Sequence, residues 1–228
     1  MEVRVALHER NDGSRLSLRN SSVPGLGKER LEALTDGIFA TVMTVLVLSL
    51  SVPVIANGAT NGEVATDIET LGPNILAYVL GFLLLAVLWI SHHNVFHYMT
   101  RVDRPLLWLN TLFLLTIGFL PFSTALVGKY PQFQVPEVIF GANIIAISIC
   151  MLSILSYSSR TRLLVVPERD ERFMARVRSR WRTGPVFYLV AILMSFVSPL
   201  ISFAAYVAIL IFMVVQSIFW LRISSNDQ

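Results

Sequence analysis

The chain reads as long apolar runs separated by short polar segments. The first run extends from Leu34 to Ile55, broken by scattered Thr, Ser, Asp, Gly and Pro. It is followed by Leu71–Ser91, Leu106–Val127, Val135–Tyr157, Pro185 to about Ile201, and about Ser202 to Leu221. A membrane-crossing helix needs about 20 mostly apolar residues, so the pattern predicts an all-α membrane protein with six transmembrane helices. Local signals refine it. Gly72-Pro73 suits a helix first turn, and Pro121 predicts a kink because it removes a backbone hydrogen bond. Ser198-Pro199 marks the place where a tight turn would divide the last long apolar stretch into two spans.

The basic residues test this division. Six lie in the first 30 residues, Arg101 and Arg104 follow the second run, eight lie in the segment 158–184, and Arg222 follows the sixth run. Lys129 alone falls on the opposite side, and the loop Asn57–Thr70 carries only acids, Glu63, Asp67 and Glu69. Positive charge collects on the cytoplasmic face, so both termini are expected in the cytoplasm. The expected organisation is a polar cytoplasmic tail over 1–29, a six-helix transmembrane domain over 30–222 with a basic cytoplasmic linker at 158–184, and a short tail at 223–228. No apolar segment of signal-peptide type follows the start.

Composition agrees. In 228 residues, 54% are hydrophobic and 14% charged, with a mean hydropathy of +0.65. A soluble domain carries roughly 25% charged residues, so a disordered chain, a disulfide-rich secreted domain and an ordinary cytosolic enzyme are all excluded. The single cysteine, Cys150, can form neither an internal disulfide nor a zinc cluster, and it reads as a small buried hydrophobe. The linker places Phe173, Val177 and Trp181 at helical spacing among arginines between Asp170 and Arg182. Such a segment is expected to lie on the anionic cytoplasmic leaflet. Nucleic-acid binding is the sharper reading and is not favoured, because basic segments beside spans are common.

Polar groups inside spans are costly and mark function. Asp36 reads as the one acid within an apolar run, about a turn in from the end of the first span, with Arg30 nearly two turns earlier. Gly37 beside it would permit close helix approach. Thr41, Val45 and Leu48 follow i, i+4, i+7 on one helical face, with Thr44 beside them. This stripe suits either a narrow pore lining or a packing face. At the end of the second run stand Trp89, His92, His93 and His97. His93 and His97 have a spacing that can hold a metal, but no carboxylate or cysteine lies nearby, so no metal site is assigned. Histidines bonding neighbouring helices, Asp36 included, are the favoured alternative. The chain lacks a Thr-Val-Gly-Tyr-Gly filter, a phosphate-binding loop, a nucleophile elbow and a visible internal repeat.

The segment from Arg30 to Ala40, with Thr35-Asp36-Gly37 at its centre, resembles the first-helix signature of the transmembrane protein 175 potassium channel family: Arg, three variable residues, then Phe-Ser-Asp and usually Gly. The segments Trp89…His92-His93 and Leu109-Asn110…Leu120-Pro121-Phe122 resemble that family too. The resemblance covers roughly residues 28–222. It implies a homotetrameric potassium channel of the prokaryotic kind, one six-span unit per chain, in the cell membrane. The first helix of each subunit would line a central pore, with an apolar constriction in place of a re-entrant filter loop. It implies that Arg30, Thr35 and Asp36 hold the first helix, and that Thr41, Val45 and Leu48, with a threonine layer at Thr44, line the pore. Potassium ions, the lipid bilayer and further copies of the chain are the implied partners, with no cofactor. Leu34 replaces the motif phenylalanine and Thr35 the serine. Thr41 stands where the family usually places Ile or Leu as its tightest ring, so the constriction is expected at Val45 or Leu48, or the pore is leakier. The competing function is a proton-coupled secondary transporter using Asp36 and the His92/His93 pair. An enzyme is not expected, for want of a catalytic constellation.

Overall fold

A computed structural model describes residues 27–226, with side chains to Gln216 except that of Arg169. Arg4, Arg10, Arg15 and Arg19 and most of the expected tail lie outside the described residues. Eight α-helices follow in order: α1 (Lys28–Leu46, continued by a short 3-10 turn Val47–Ser49), α2 (Asn61–Glu69), α3 (Gly72–His97), α4 (Arg104–Gly118), α5 (Leu120–Lys129), α6 (Gln134–Arg160), α7 (Glu171–Met194) and α8 (Pro199–Asn226). Five segments are long and apolar enough to cross a membrane: Lys28–Ser49, Gly72–His97, Arg104–Lys129, Gln134–Arg160 and Pro199–Gln216. The protein is therefore an all-helical, multi-pass membrane protein.

Several boundaries differ from the sequence reading, each for a local reason. The first helix starts six residues earlier than the apolar run and stops at Ser49, and Leu50–Ile55 is not helical. Pro53 disfavours helical backbone in the residue before it and lacks the N–H a helix needs. The polar loop contains α2, capped by a Thr60–Glu63 capping box that the spacing Thr-x-x-Glu encodes. The third run is two helices hinged at Phe119, with Pro121 in the first turn of the second, as the missing proline N–H requires. The basic linker does not form a separate surface helix. It is the first half of α7, a single 24-residue helix in which Met174 and Trp181 are buried and Pro185 is absorbed internally. Its apolar half, from Pro185 to Met194, is too short and its charged half too polar for α7 to count among the five apolar spans. Pro199 takes the first position of α8, where its fixed φ is pre-organised, so the last turn sits three residues before Ser202.

α6 packs most extensively on α7 and α4, and α3 on α5. The interior is filled by Phe39, Phe96, Phe113, Phe140 and Tyr206, all nearly inaccessible, with a leucine-rich seam along α3. Gly81 lets α3 and α5 meet, since a Cβ there would stand 2.8 Å from Thr124 Cγ2. The two polar loops at one end are tied by strand-like pairing. Thr100 N–H donates to Leu163 O at 2.9 Å, and Val165 N–H to Tyr98 O at 3.0 Å. Large apolar side chains face outward on most helices, including Leu76, Leu83, Leu115, Ile149, Phe187, Leu193, Leu200 and Phe212. In water such a surface would aggregate; in a bilayer it is the lipid-facing belt.

Candidate functional site: the first helix and its supports

α1 has two unlike faces. Leu31, Thr35, Phe39, Val42 and Leu46 are buried against α3, α4 and α5. The spacing of four, four, three and four keeps them on one stripe. Rotated away from it stand Arg30, Leu34, Gly37, Thr41, Thr44, Val45 and Leu48, all exposed. Leu34 is 53% exposed and Leu48 76%. Thr41 Oγ1–H donates to Gly37 O at 2.8 Å, and Thr44 Oγ1–H to Thr41 O at 2.7 Å. Each hydroxyl proton is thus spent inside the helix, and each oxygen presents lone pairs outward. No heavy atom lies within 4 Å of where a Gly37 Cβ would be. Within one chain nothing approaches this face closely at the glycine.

The motif residues divide by direction. Thr35, 1% exposed, turns inward. Its hydroxyl donates to Leu31 O at 2.9 Å, and its oxygen accepts from Asn110 Nδ2 at 3.1 Å. Asn110 Oδ1 lies 2.9 Å from His92 Nε2. Because the asparagine amide nitrogen is committed to Thr35, the facing oxygen must accept, and the network assigns the His92 proton to Nε2. The imidazole is stacked on Phe96 at 4.1 Å between ring centroids and on Phe113 at 5.2 Å. One buried chain of hydrogen bonds thereby joins α1, α3 and α4.

Asp36 points elsewhere. Its Oδ1 accepts from Trp89 Nε1–H at 2.8 Å, near the protein surface. The expected association of Asp36 with the histidines is replaced by this bond to the indole. His92 and His93 are also separated: His92 is buried, while His93 is exposed with its ring 5.9 Å from Trp89. Adjacent residues on a helix diverge by about 100°, so the two do not form a pair. Among the described residues no three His, Cys, Asp or Glu side chains converge as metal ligands.

Two buried polar residues stand outside the candidate site residues read from the sequence. Asn110, quoted there only within the family-like segment Leu109-Asn110, is the central link of the network, and its signal is an amide in the middle of an apolar run. Glu137 corrects the reading of Asp36 as the one acid in an apolar run. It lies three residues into the fourth run, is fully buried, and neither carboxylate oxygen has a hydrogen-bond partner among the described residues. Tyr206 of α8 donates to its backbone carbonyl at 2.9 Å.

Comparison with known proteins places this geometry. A potassium channel of Chamaesiphon minutus is 31% identical over 191 residues, covering 82% of this chain and 94% of its own length. The chain belongs to the TMEM175 family. The model of that family, described as the endosomal/lysosomal potassium channel TMEM175, matches residues 30–121, which hold nearly all of α1 together with α3 and α4. A second relative, a potassium channel of Streptomyces collinus, is 31% identical over 181 residues, 78% of this chain and 86% of its own. The crystal structure of a lysosomal potassium-selective channel TMEM175 homolog from Chamaesiphon minutus superposes with a TM-score of 0.71 at 27% identity, covering 83% of this chain and 97% of that one.

Proposed function

We propose that the protein is a potassium-permeable channel whose pore is lined by the exposed face of α1, contributed by each subunit of a homotetramer. Family membership supports the channel class and sets aside an enzyme. The single observation that carries the pore assignment is the outward stripe Thr41, Thr44, Val45 and Leu48, opposite the face that α1 buries in its own chain. A helix end with polar oxygens and bulky aliphatics, left uncovered in the protomer, is a natural wall for an axis shared by copies. Leu34 and Gly37 continue that face toward the start of α1, where a neighbouring copy would sit.

In this reading α7 crosses as the fifth of six spans, completing a bilayer passage with its apolar half while its arginines remain at the cytoplasmic surface. Both termini are then cytoplasmic, in the cell membrane. The threonine oxygens offer a partial replacement for a cation's hydration, and Leu48 and Val45 supply the apolar constriction that gates by dewetting. Asp36–Trp89 and Thr35–Asn110–His92 hold α1 at the angle that keeps this stripe on the axis, with Arg30 at the mouth.

Reconstitution tests the function. Purified protein in a planar bilayer should give single-channel steps carried by potassium, and Leu48→Ala should raise the flux. Slow, saturating flux that requires a proton gradient would make the protein a coupled carrier. Unchanged flux and selectivity in Leu48→Ala would remove Leu48 from the constriction.

A further inference from the structure

The first half of α7 carries five arginines between residues 172 and 182, and Arg169 precedes it. Arg180 is the one whose environment is unusual. Its Nη2 is shut off from solvent and has no hydrogen-bond partner among the described residues, and the same holds for Trp181 Nε1 next to it. Burial disfavours the Arg180 charge, and among the described residues the charge that acts on it is that of Tyr188, not of a carboxylate. A guanidinium is a donor with no acceptor capacity, and a buried charged donor left unpaired costs more than a neutral one.

Two spaces meet at this side chain. A small cavity of about 20 Å³ lies between α3, α6, α7 and α8, lined by Ser148, Trp181 and Arg180 among others. It has room for about one water. A water answers a hydrogen bond but not a charge. The second space is a groove of about 590 Å³ between α7 and α8, within the roughly 300–1,000 Å³ of ligand clefts. Its α7 wall runs from Arg176, Ser179, Arg180 and Thr183 to Phe187, and its α8 wall is Ile209, Phe212, Val215 and Gln216. Arg180, Gly184, Tyr188 and Met213 border both spaces. A positive head region leading into an apolar trough, on a helix pair whose remaining outer surface is lipid-facing, matches an amphiphile with a negative head.

We propose that the α7–α8 groove binds an anionic phospholipid, its phosphate held by Arg180 with Arg176 at the rim and one acyl chain laid over Phe187, Ile209 and Phe212. The lipid supplies the anion that the protein lacks at Arg180 and covers the apolar trough. The site pins the α7–α8 hairpin to the leaflet on the arginine side. It requires the chain to be in a bilayer but not to conduct, so it stands or falls separately from the pore assignment.

The experiment uses the full chain, delipidated in detergent and titrated with phosphatidylglycerol or phosphatidylcholine, with bound lipid counted by native mass spectrometry. Wild type should retain phosphatidylglycerol about ten-fold more tightly than phosphatidylcholine, the scale of one charged hydrogen bond. Arg180→Gln should lose most of that preference. Arg172→Gln, which removes the same charge outside the groove, should keep it. Equal retention of the two lipids by wild type overturns the proposal, as does an equal loss in both variants, which would mean a diffuse basic face. If Arg180→Gln does not fold, wild type is labelled with a photoreactive phosphatidylglycerol carrying its probe on the acyl chain. Adducts on the α7 and α8 groove residues support the site, and adducts confined to other helices overturn it. A cross-link between groove residues of two subunits would give the groove to a second copy instead.

Discussion

Asn110 is the residue whose removal should separate the buried network from ordinary packing. It is fully inaccessible and bridges Thr35 and His92. In Asn110→Leu the volume is nearly kept, and the losses are polar. His92 Nε2–H is left without an acceptor between two aromatic rings, at a cost of about 1–3 kcal/mol. Thr35 loses less, because its hydroxyl still donates to Leu31 O. The expected destabilisation is about 2 kcal/mol, which for a chain of this size lowers Tm by roughly 4–8 °C. Tryptophan-fluorescence thermal unfolding in detergent reads it, with Trp89 close to the site. The decisive comparison is His92→Phe/Asn110→Leu. Phenylalanine can occupy the stack between Phe96 and Phe113, and replacing both partners of a hydrogen bond by apolar groups is nearly neutral. The double variant should therefore be more stable than Asn110→Leu alone, with a coupling of at least about 1 kcal/mol. An unchanged Tm in Asn110→Leu, or a double variant that loses the sum of the two single effects, would refute the network as a support of α1.

Three further expectations follow from other parts of the structure. Gly141 faces Tyr206 and Ile192 so closely that any side chain there collides with both; Gly141→Val should push the α7–α8 hairpin off α6 and cost about 1–3 kcal/mol, seen as a lower Tm and faster proteolysis between α7 and α8. Glu137→Leu should leave Tm at neutral pH unchanged or raise it, since an apolar residue replaces a buried carboxyl with no partner among the described residues; a marked fall would mean that the acid bonds something that holds the hairpin. Outside the membrane, Thr60 N–H and Oγ1–H donate to Glu63 Oε2 at 2.7 and 2.9 Å, and these bonds hold the Glu63 carboxyl below its ordinary value. The sign follows: the capping contribution is present above the unfolded-state value and is lost as pH falls through the lower folded-state value. Amide exchange across α2, corrected for intrinsic rates, should lose protection in acid, and Glu63→Gln should abolish that pH-dependent step.

Much of the site was legible before any coordinates. The threonine–aliphatic stripe on α1 follows from a period of 3.6, and the break at Pro121 follows from a missing N–H. The Thr60–Glu63 cap was equally readable from its spacing and went unread. The direction of His92 was different in kind. Periodicity says that His92 and His93 diverge, but which one is buried depends on where Phe39, Phe96 and Phe113 close around α3. Asn110 was visible as an amide among leucines, yet its role needs Thr35, 75 positions away, on a facing helix. The arginines around Phe173, Val177 and Trp181 pointed to a short amphipathic surface helix; in the fold, Met174 and Trp181 are buried and the segment runs unbroken into the apolar half of α7, which packs on α6.

By itself, the sequence determined that this is a membrane protein of long helices, that Pro121 and Pro199 mark breaks between them, and which stripe of α1 differs from the rest. Those features are local: a backbone in lipid must satisfy its own hydrogen bonds, so an apolar run of span length becomes a helix whatever its neighbours. The tertiary structure alone decided the destinations of the polar side chains: Thr35 to Asn110 and His92, Asp36 to Trp89, Glu137 to a buried position with no hydrogen-bond partner among the described residues, and Arg180 to the edge of an open groove. A polar group in a low-dielectric interior is governed by the few atoms within hydrogen-bond reach, and those atoms come from helices far away in the chain.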